Sequence, residues 1–417
     1  MNIAEILKNS SGRISTDSRA IGVGDIFIAL PGDKFDGHNF VSDVLNRGAS
    51  VAIVQNLVDT APVEKQIVVP DAFTAYLKFG EYFRNQFHGK IIALTGSAGK
   101  TTTKEELKQI IGAQKKVYAT MGNFNNRIGV AKTLIEMDMN ADVAIIEIGM
   151  NHASEIAEIV KYVRPDIAIV TNIYPMHIEF FIDGLNGIAN AKSEIFNTGA
   201  IAVINRDANL SDVLINNARS CECKIELFGK DNENFPDMPE HFQYNAGCVM
   251  KIAELLNMDL DAARESVLGF DALPGRGKKH KIKLGDNAEF ILIDDSYSGQ
   301  PESMKIAIKN LAKIQGRKIA IIGKMAELGD YSVIAHTEIG KLLADKDIDI
   351  VIGVGDETRD TLAQLKQSQK QFYFDNSVDV LKFLQNDFIC DGDVMLVKGS
   401  HYASAVYKIV DVFISDK

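Results

Sequence analysis

With 417 residues, 46% hydrophobic and 24% charged, the chain is too long for one hydrophobic core and reads as an ordinary globular protein of roughly three domains. A net charge of −11 argues against a broad nucleic-acid or acidic-membrane surface, but not against a phosphate-bearing ligand, which a few local amides, lysines and magnesium ions can hold. The opening MNIAEILKNSSGRIS lacks a signal-peptide pattern, and no stretch approaches the roughly 20 apolar residues that span a bilayer, so a cytoplasmic protein without membrane insertion is expected.

The first block, residues 1–87, holds two strand-like pieces, GDIFIALPG and ASVAIVQ, with the turn-rich DKFDGHNF between them. Helical periodicity follows in FTAYLKFGEYFRNQF. The second block, residues 88–277, opens with GKIIALTG and continues with DVAIIEIG, PDIAIVTNI and GAIAVIN. Amphipathic stretches such as TTKEELKQIIGAQ and ASEIAEIVKYV separate these apolar runs, which predicts a parallel, doubly wound sheet. Cys221, Cys223, Cys248 and Cys390 are sparse, and the lone C-x-C has no second pair at zinc spacing, which fits a reducing compartment. Asp261 to Leu268 predicts one more helix before LPGRGKKH, read as a connector. The third block, residues 278–417, repeats the alternation in EFILIDDS, RKIAIIG, IDIVIGVG and GDVMLVKGS and predicts a second, Rossmann-like α/β domain.

Ligands of such sheets bind at the carboxyl ends of the strands. The chemically distinctive residues fall there: Gly96 to Thr101, Glu147, Asn172 to His177, and Asp294 to Tyr297. The run Gly96-Ser97-Ala98-Gly99-Lys100-Thr101-Thr102 follows a strand and opens a helix. Its small residues let backbone amides curl around phosphate oxygens, with Lys100 reaching the β- and γ-phosphates and the Thr101 hydroxyl available to magnesium. The eight-residue phosphate-loop pattern has a glycine five positions before Gly99, where this chain has Leu94.

Other positions are less specific by residue type. Glu147 and His177 read singly as a solvated strand end and a loop residue; their place beyond adjacent strands points instead to a magnesium ion between ATP and a second substrate. Lys192, in IANAKSEIF, reads as a solvated helix residue, and Arg276, in PGRG, as a linker arginine or a phosphate contact. Asn123, Asn125 and Asn126 either build a turn or hydrogen-bond a peptide-like ligand. Asp295, at a strand end, is placed to accept from a ribose hydroxyl.

Over essentially its whole length the chain resembles the Mur ligases of bacterial peptidoglycan synthesis. The resemblance rests on DSR and ALPGDKFDGHNF in the first block, and on TGSAGKTTT, GNFNNRIGVAKTL, EIGMNHASEI and AKSEIF in the second. In the third it rests on DDSY, PESM, MAELG and VKGS. The Mur-type loop lacks the early glycine, so Leu94 is expected there. The resemblance implies a small N-terminal α/β domain binding a UDP-sugar, a central P-loop ATPase-like domain and a C-terminal Rossmann-like domain. The implied chemistry is activation of a carboxylate as an acyl phosphate, then amide formation, with ATP and Mg2+. The asparagine cluster and MAELG favour the member that adds D-Ala-D-Ala to UDP-MurNAc-tripeptide; a Mur-fold ligase with another amine or acyl acceptor is the alternative.

Residue by residue, the resemblance implies that Ser18, Arg19, Asp36, Gly37 and His38 contact the UDP-sugar. It implies that Asn125 and Asn126 meet the peptide, and that Lys100 and Thr101 serve ATP and magnesium. Glu147 and His177 would help hold metal, and Lys192 matches the lysine that these ligases can carbamylate. Arg276 and Asp295 would close on the nucleotide. A monomer is expected. The chain departs from the family pattern at Ser298-Gly299-Gln300, at Lys324 and at His401.

Overall fold

The computed structural model describes residues 1–32, 35–236, 238–284, 288–384 and 388–415; Asp33 and Lys34 of the ALPGDKFDGHNF segment lie outside these. Three sheets follow one another along the chain. The first is parallel, in the order β1 (Ile14–Ser15), β2 (Ile26–Ile28), β3 (Val51–Val54), β4 (Gln66–Val68). The second contains β5 (Lys90–Thr95), β6 (Val117–Ala119), β7 (Val143–Glu147), β8 (Ile167–Val170), β9 (Ile201–Asn205) and β10 (Lys224–Phe228). It too is parallel, ordered β10-β9-β8-β5-β7-β6. The third contains β11 (Lys278–Leu284), β12 (Ala288–Asp295), β13 (Lys318–Gly323), β14 (Ile350–Val354), β15 (Lys370–Phe374) and β16 (Val394–Lys398). Its order is β11-β12-β16-β13-β14-β15, with β11 antiparallel to β12 and the rest parallel.

The apolar runs form strands because both faces of each sheet are covered. In β5, Ile91 and Ala93 enter one core while Ile92 and Leu94 enter the core on the opposite face. In β13, Ala320 and Ile322 face one core, and Ile319 and Ile321 the other. Lys278, Lys279 and His280, read in the sequence as connector, belong to β11. Alternating charge hid that edge strand.

The first sheet does not stand alone. One face is closed by the helix Ala72–Arg84, capped by Asp71, whose carboxylate accepts from the amides of Phe73 and Thr74 at 3.3 and 2.9 Å. That helix rests on the helix Arg127–Ile135 of the second block, so Ala131 is buried in the core of the first. Gly80 marks the crossing, since a Cβ there would come within 3.0 Å of Leu134 Cβ.

Candidate active site

The phosphate loop is shaped at its two glycines. At Gly96 a Cβ would overlap the Thr171 hydroxyl, and Gly99 adopts φ +77°, the left-handed region that favours glycine. Gly99 is the N-cap of the helix Lys100–Gly112 and offers no side-chain cap. The first-turn amides of that helix therefore face the cleft, as an anion site requires. Residues just beyond β8 fasten the loop from behind. Asn172 Oδ1 accepts from the Ala98 amide at 2.8 Å, and the Thr171 hydroxyl donates to the Ala98 carbonyl at 2.9 Å. Ser97 Oγ donates to the Tyr174 carbonyl at 3.0 Å. Lys100 Nζ folds back onto the Gly96 carbonyl at 2.7 Å. Burial pushes its pKa down, as does the Arg276 charge, against the pull of Glu147.

Glu147 ends β7, fully buried. Its Oε1 accepts from the Thr101 hydroxyl at 3.2 Å and from Asn125 Nδ2 at 2.8 Å. Its Oε2 is buried without a hydrogen-bond partner, 4.0 Å from Lys104 Nζ. Lys104 is itself buried and donates to the Thr120 and Gly122 carbonyls at 2.7 and 2.9 Å. It thereby anchors the loop that presents the asparagines. Asn126 caps the helix Arg127–Ile135, accepting from the Gly129 amide at 2.9 Å.

His177 adopts φ +56° and packs its Nδ1 against Glu327 Oε2 of the third block. Burial pushes the imidazole pKa down to about 4, helped by the charges of Lys100 and Lys192. Lys192 is not the solvated residue its helical spacing suggested: it is 1% exposed, on the inner side of the helix Gly184–Ser193. Burial, and then Lys100, hold its pKa well below the ordinary lysine value.

Arg276 leaves the connector and donates from Nη2 to the Thr101 hydroxyl at 3.0 Å, its guanidinium 4.4 Å from the Tyr297 ring centroid. Asp295, at the end of β12, pairs with buried Lys398 at 3.0 Å. Burial pushes the carboxyl up and Lys398 pulls it down. The two blocks enclose a cleft of about 1530 Å³ whose lining includes Ser97 to Thr102, Asn125, Glu147, His177, Arg276 and Asp295. A second cavity of about 580 Å³ adjoins it, sharing Lys100, Asn125 and His177 and adding Asn126.

Of the first block, Phe73 lines the second cavity, whereas Ser18, Arg19, Asp36, Gly37 and His38 line neither. They sit at the carboxyl ends of neighbouring strands β1 and β2. Arg19, 88% exposed, folds onto Asp17 with Nη2 at 2.8 Å, and this pair pulls the Asp17 carboxyl down to about 2. Ser18 lies between them in the same turn. His38 Nδ1 lies 2.6 Å from Asp36 Oδ1, and its Nε2 accepts from the Gln55 amide at 2.9 Å. Gly37 packs flat on β2's continuation, where a Cβ would lie 2.8 Å from Ala29 Cα.

Sequence reasoning passed over Lys104, Tyr297 and Lys398 as single residues. Lys398 stands in VKGS, next to the strand end that Asp295 marks, and that adjacency was the available signal. At the departures, Lys324 pairs with Glu357 at 3.1 Å, and the Ser298 carbonyl accepts from Lys398 at 2.8 Å. His401 stacks on Tyr407 with centroids 4.1 Å apart.

A phosphate loop on a parallel sheet, faced across one cleft by a second α/β domain, defines a nucleotide-binding enzyme built of two facing domains. Family models for the Mur ligase catalytic, middle and glutamate ligase domains match residues 12–78, 94–261 and 282–401. The chain belongs to the Mur ligase family. It is 33% identical to the UDP-N-acetylmuramoyl-tripeptide–D-alanyl-D-alanine ligase of Rickettsia prowazekii, over 96% of this chain and 94% of that one. To the Escherichia coli enzyme of the same name it is 32% identical, covering 83% and 81%. Among solved structures, a MurF crystal structure from Acinetobacter baumannii superposes with a TM-score of 0.85 at 29% identity, covering 99% and 97%. No helix among the described residues is long and apolar enough to cross a membrane.

Proposed function

We propose that the chain joins D-Ala-D-Ala to the terminal carboxylate of UDP-MurNAc-tripeptide while converting ATP to ADP and phosphate. The carrying observation is the single cleft in which Lys100 and Thr101 on one wall face Arg276 and Asp295 on the other. The names borne by its full-length relatives supply the substrates. The peptide carboxylate attacks the γ-phosphorus, the P–O bond to ADP breaks, and an acyl phosphate results. The dipeptide amine, having lost a proton, then attacks the acyl carbon and phosphate leaves. Lys100 and the loop amides neutralise charge on the transferring group, and Arg276 does so from the opposite wall. Asp295 takes a ribose hydroxyl. Closure keeps water from the acyl phosphate.

A magnesium ion fits the residues present. Glu147 Oε2 is a buried carboxylate oxygen without a hydrogen-bond partner, and the Thr101 hydroxyl lies beside the same group. Among the described residues no three His, Cys, Asp or Glu side chains cluster as a metal cage. One carboxylate plus a hydroxyl, completed by substrate phosphates, is a usual magnesium arrangement. Such an ion supplies charge neutralisation for the phosphates. His177 stands nearby, and Lys192, once carbamylated, adds an anionic group. Ser18, Arg19, Asp36, Gly37 and His38 hold the UDP-sugar end, with Asn125 and Asn126 toward the peptide. We place the reaction in the cytoplasm, carried out by a monomer.

Omitting each component in turn tests the reading: phosphate release and coupled product are expected only with ATP, magnesium, UDP-MurNAc-tripeptide and D-Ala-D-Ala all present. No product from the complete mixture would remove the substrate assignment. A ligase taking another amine is the second reading, favoured by Lys324 turned to Glu357 and by His401 within its aromatic stack. A panel of amines coupled under the same conditions separates the two.

A further inference from the structure

The second cavity opens from the reacting end of the cleft: it shares Lys100, Asn125 and His177 with the larger one and reaches Phe73 of the first block. A carboxylate that attacks a phosphorus beside Lys100 therefore has this space of about 580 Å³ next to it. The side chain on the carbon that bears the reacting carboxylate starts at its mouth.

Four charged side chains line the cavity: Lys100, Arg127, Glu155 and Glu158. Two are engaged elsewhere. Lys100 serves the phosphates, and Glu155 accepts from the Asn151 amide at 2.8 Å and meets His152 Nδ1 at 3.0 Å. The other two meet each other. Arg127, the first residue of the helix Arg127–Ile135, donates from Nη1 to both Glu158 oxygens at 2.9 Å, and both side chains are half-buried. Its guanidinium lies over the Phe73 ring, 4.6 Å from the centroid, which fixes the plane of the fork. Asp71, whose charge also reaches Arg127, is occupied as the cap of the helix Ala72–Arg84. Among the described residues Nε and Nη2 of Arg127 have no hydrogen-bond partner, so this fork has donors to spare.

Such a pair selects by charge. A lone ammonium is drawn by Glu158 and repelled by Arg127, and a lone carboxylate meets the reverse. An ammonium and a carboxylate on one carbon satisfy both, the carboxylate on the unused Arg127 donors and the ammonium on Glu158. We propose that Arg127 and Glu158 read the side chain of the peptide's last residue. They favour one that ends in an ammonium and a carboxylate together, as diaminopimelate does, over one that ends in an ammonium alone, as lysine does. The inference rests on the ligase reading above and names the residues that select its substrate.

The test measures kcat and KM for D-Ala-D-Ala addition to three UDP-MurNAc-tripeptides. Their last residue is diaminopimelate, diaminopimelate amidated at the side-chain carboxyl, or lysine. Wild type is expected to favour the first over each of the others by about tenfold or more in kcat/KM, the worth of one charge-assisted hydrogen bond. Arg127→Met keeps an unbranched stem against Phe73 but has no donor. Its KM for the diaminopimelate peptide should rise about tenfold, and the three peptides should converge. Arg127→Lys, which keeps the charge and loses the fork, narrows the preference without abolishing it. Wild type that treats the three peptides alike, or an Arg127→Met protein with the wild-type ratio, overturns the inference alone. Wild type that couples none of the three removes the ligase reading and this one with it.

Discussion

Lys192 shows most sharply what burial does to one residue. Its amine sits in the interior with Lys100 as the charged neighbour that pushes its pKa down, so the neutral, nucleophilic form is favoured. A neutral amine adds to carbon dioxide, forming an N–C bond and releasing a proton, and the product is anionic. Protein kept in 13C-labelled bicarbonate is expected to show a carbamate carbon signal that Lys192→Arg lacks. Lys192→Arg should also lose about 10²-fold or more in kcat, the scale of removing one electrostatic group from a transition state. His177 illustrates the opposite kind of legibility. Its ordinary pKa of 6.5 falls to about 4 through burial and the two lysine charges, while the Glu155 carboxylate pulls the other way. Between those values the unfolded ring takes a proton that the folded ring refuses, so this contribution is complete above 6.5 and is lost as pH falls toward 4. Urea midpoints at about pH 5 and pH 7.5 should differ less in His177→Asn than in wild type. An equal difference in both proteins would assign the acid sensitivity elsewhere.

At the scale of elements, the loop between β5 and its following helix depends on the absence of a side chain. Gly96→Ala would drive a Cβ into the Thr171 hydroxyl that itself holds the Ala98 carbonyl. The variant is expected to lose about 1–3 kcal/mol in urea unfolding, the usual cost of overpacking, and its ATP affinity should drop further than that loss explains. The strands themselves divide cleanly by legibility. Those inside each sheet, such as β3, β7 and β13, are buried on both faces and read as continuous apolar runs. The strands that escaped sequence reading, β1, β4, β6, β10, β11 and β15, are the edges of the three sheets. An edge strand is half-solvated and often short: β1 has two residues, and β10, KIELF, is buried only at Phe228. The strand-end rule located Glu147, His177 and Asp295 because those residues follow interior strands. It said nothing of Lys192 or Lys104, which lie on helices whose neighbours only tertiary packing decides.

Across the whole molecule the third block packs against the second both near the phosphate loop and, separately, beside His177. At the first, Tyr297 lies under the guanidinium of Arg276, which in turn holds the Thr101 hydroxyl; at the second, the short turn Gly329–Tyr331 approaches Ile178–Phe180, beside the contact of Glu327 with His177. At this second contact Gly329 leaves no room for a side chain, because a Cβ there would lie 2.9 Å from Glu179 Cβ, and its φ of +50° already favours glycine. A branched side chain at Gly329 therefore acts as a wedge some distance from the phosphate loop. Gly329→Val is expected to hold the two blocks slightly apart while leaving the loop, Glu147 and the helix Lys100–Gly112 untouched. A displacement of about 1 Å between reacting groups is enough to cost about 10²-fold in rate, so kcat should fall steeply while ATP affinity changes little. Water would also reach the acyl phosphate, raising the phosphate released per amide formed. Measuring phosphate and coupled product in the same reaction separates this from simple instability, which would lower both together. A Gly329→Val protein with wild-type coupling would mean that the contact at Glu179 does not govern closure, and that the packing of Tyr297 on Arg276 beside the phosphate loop does.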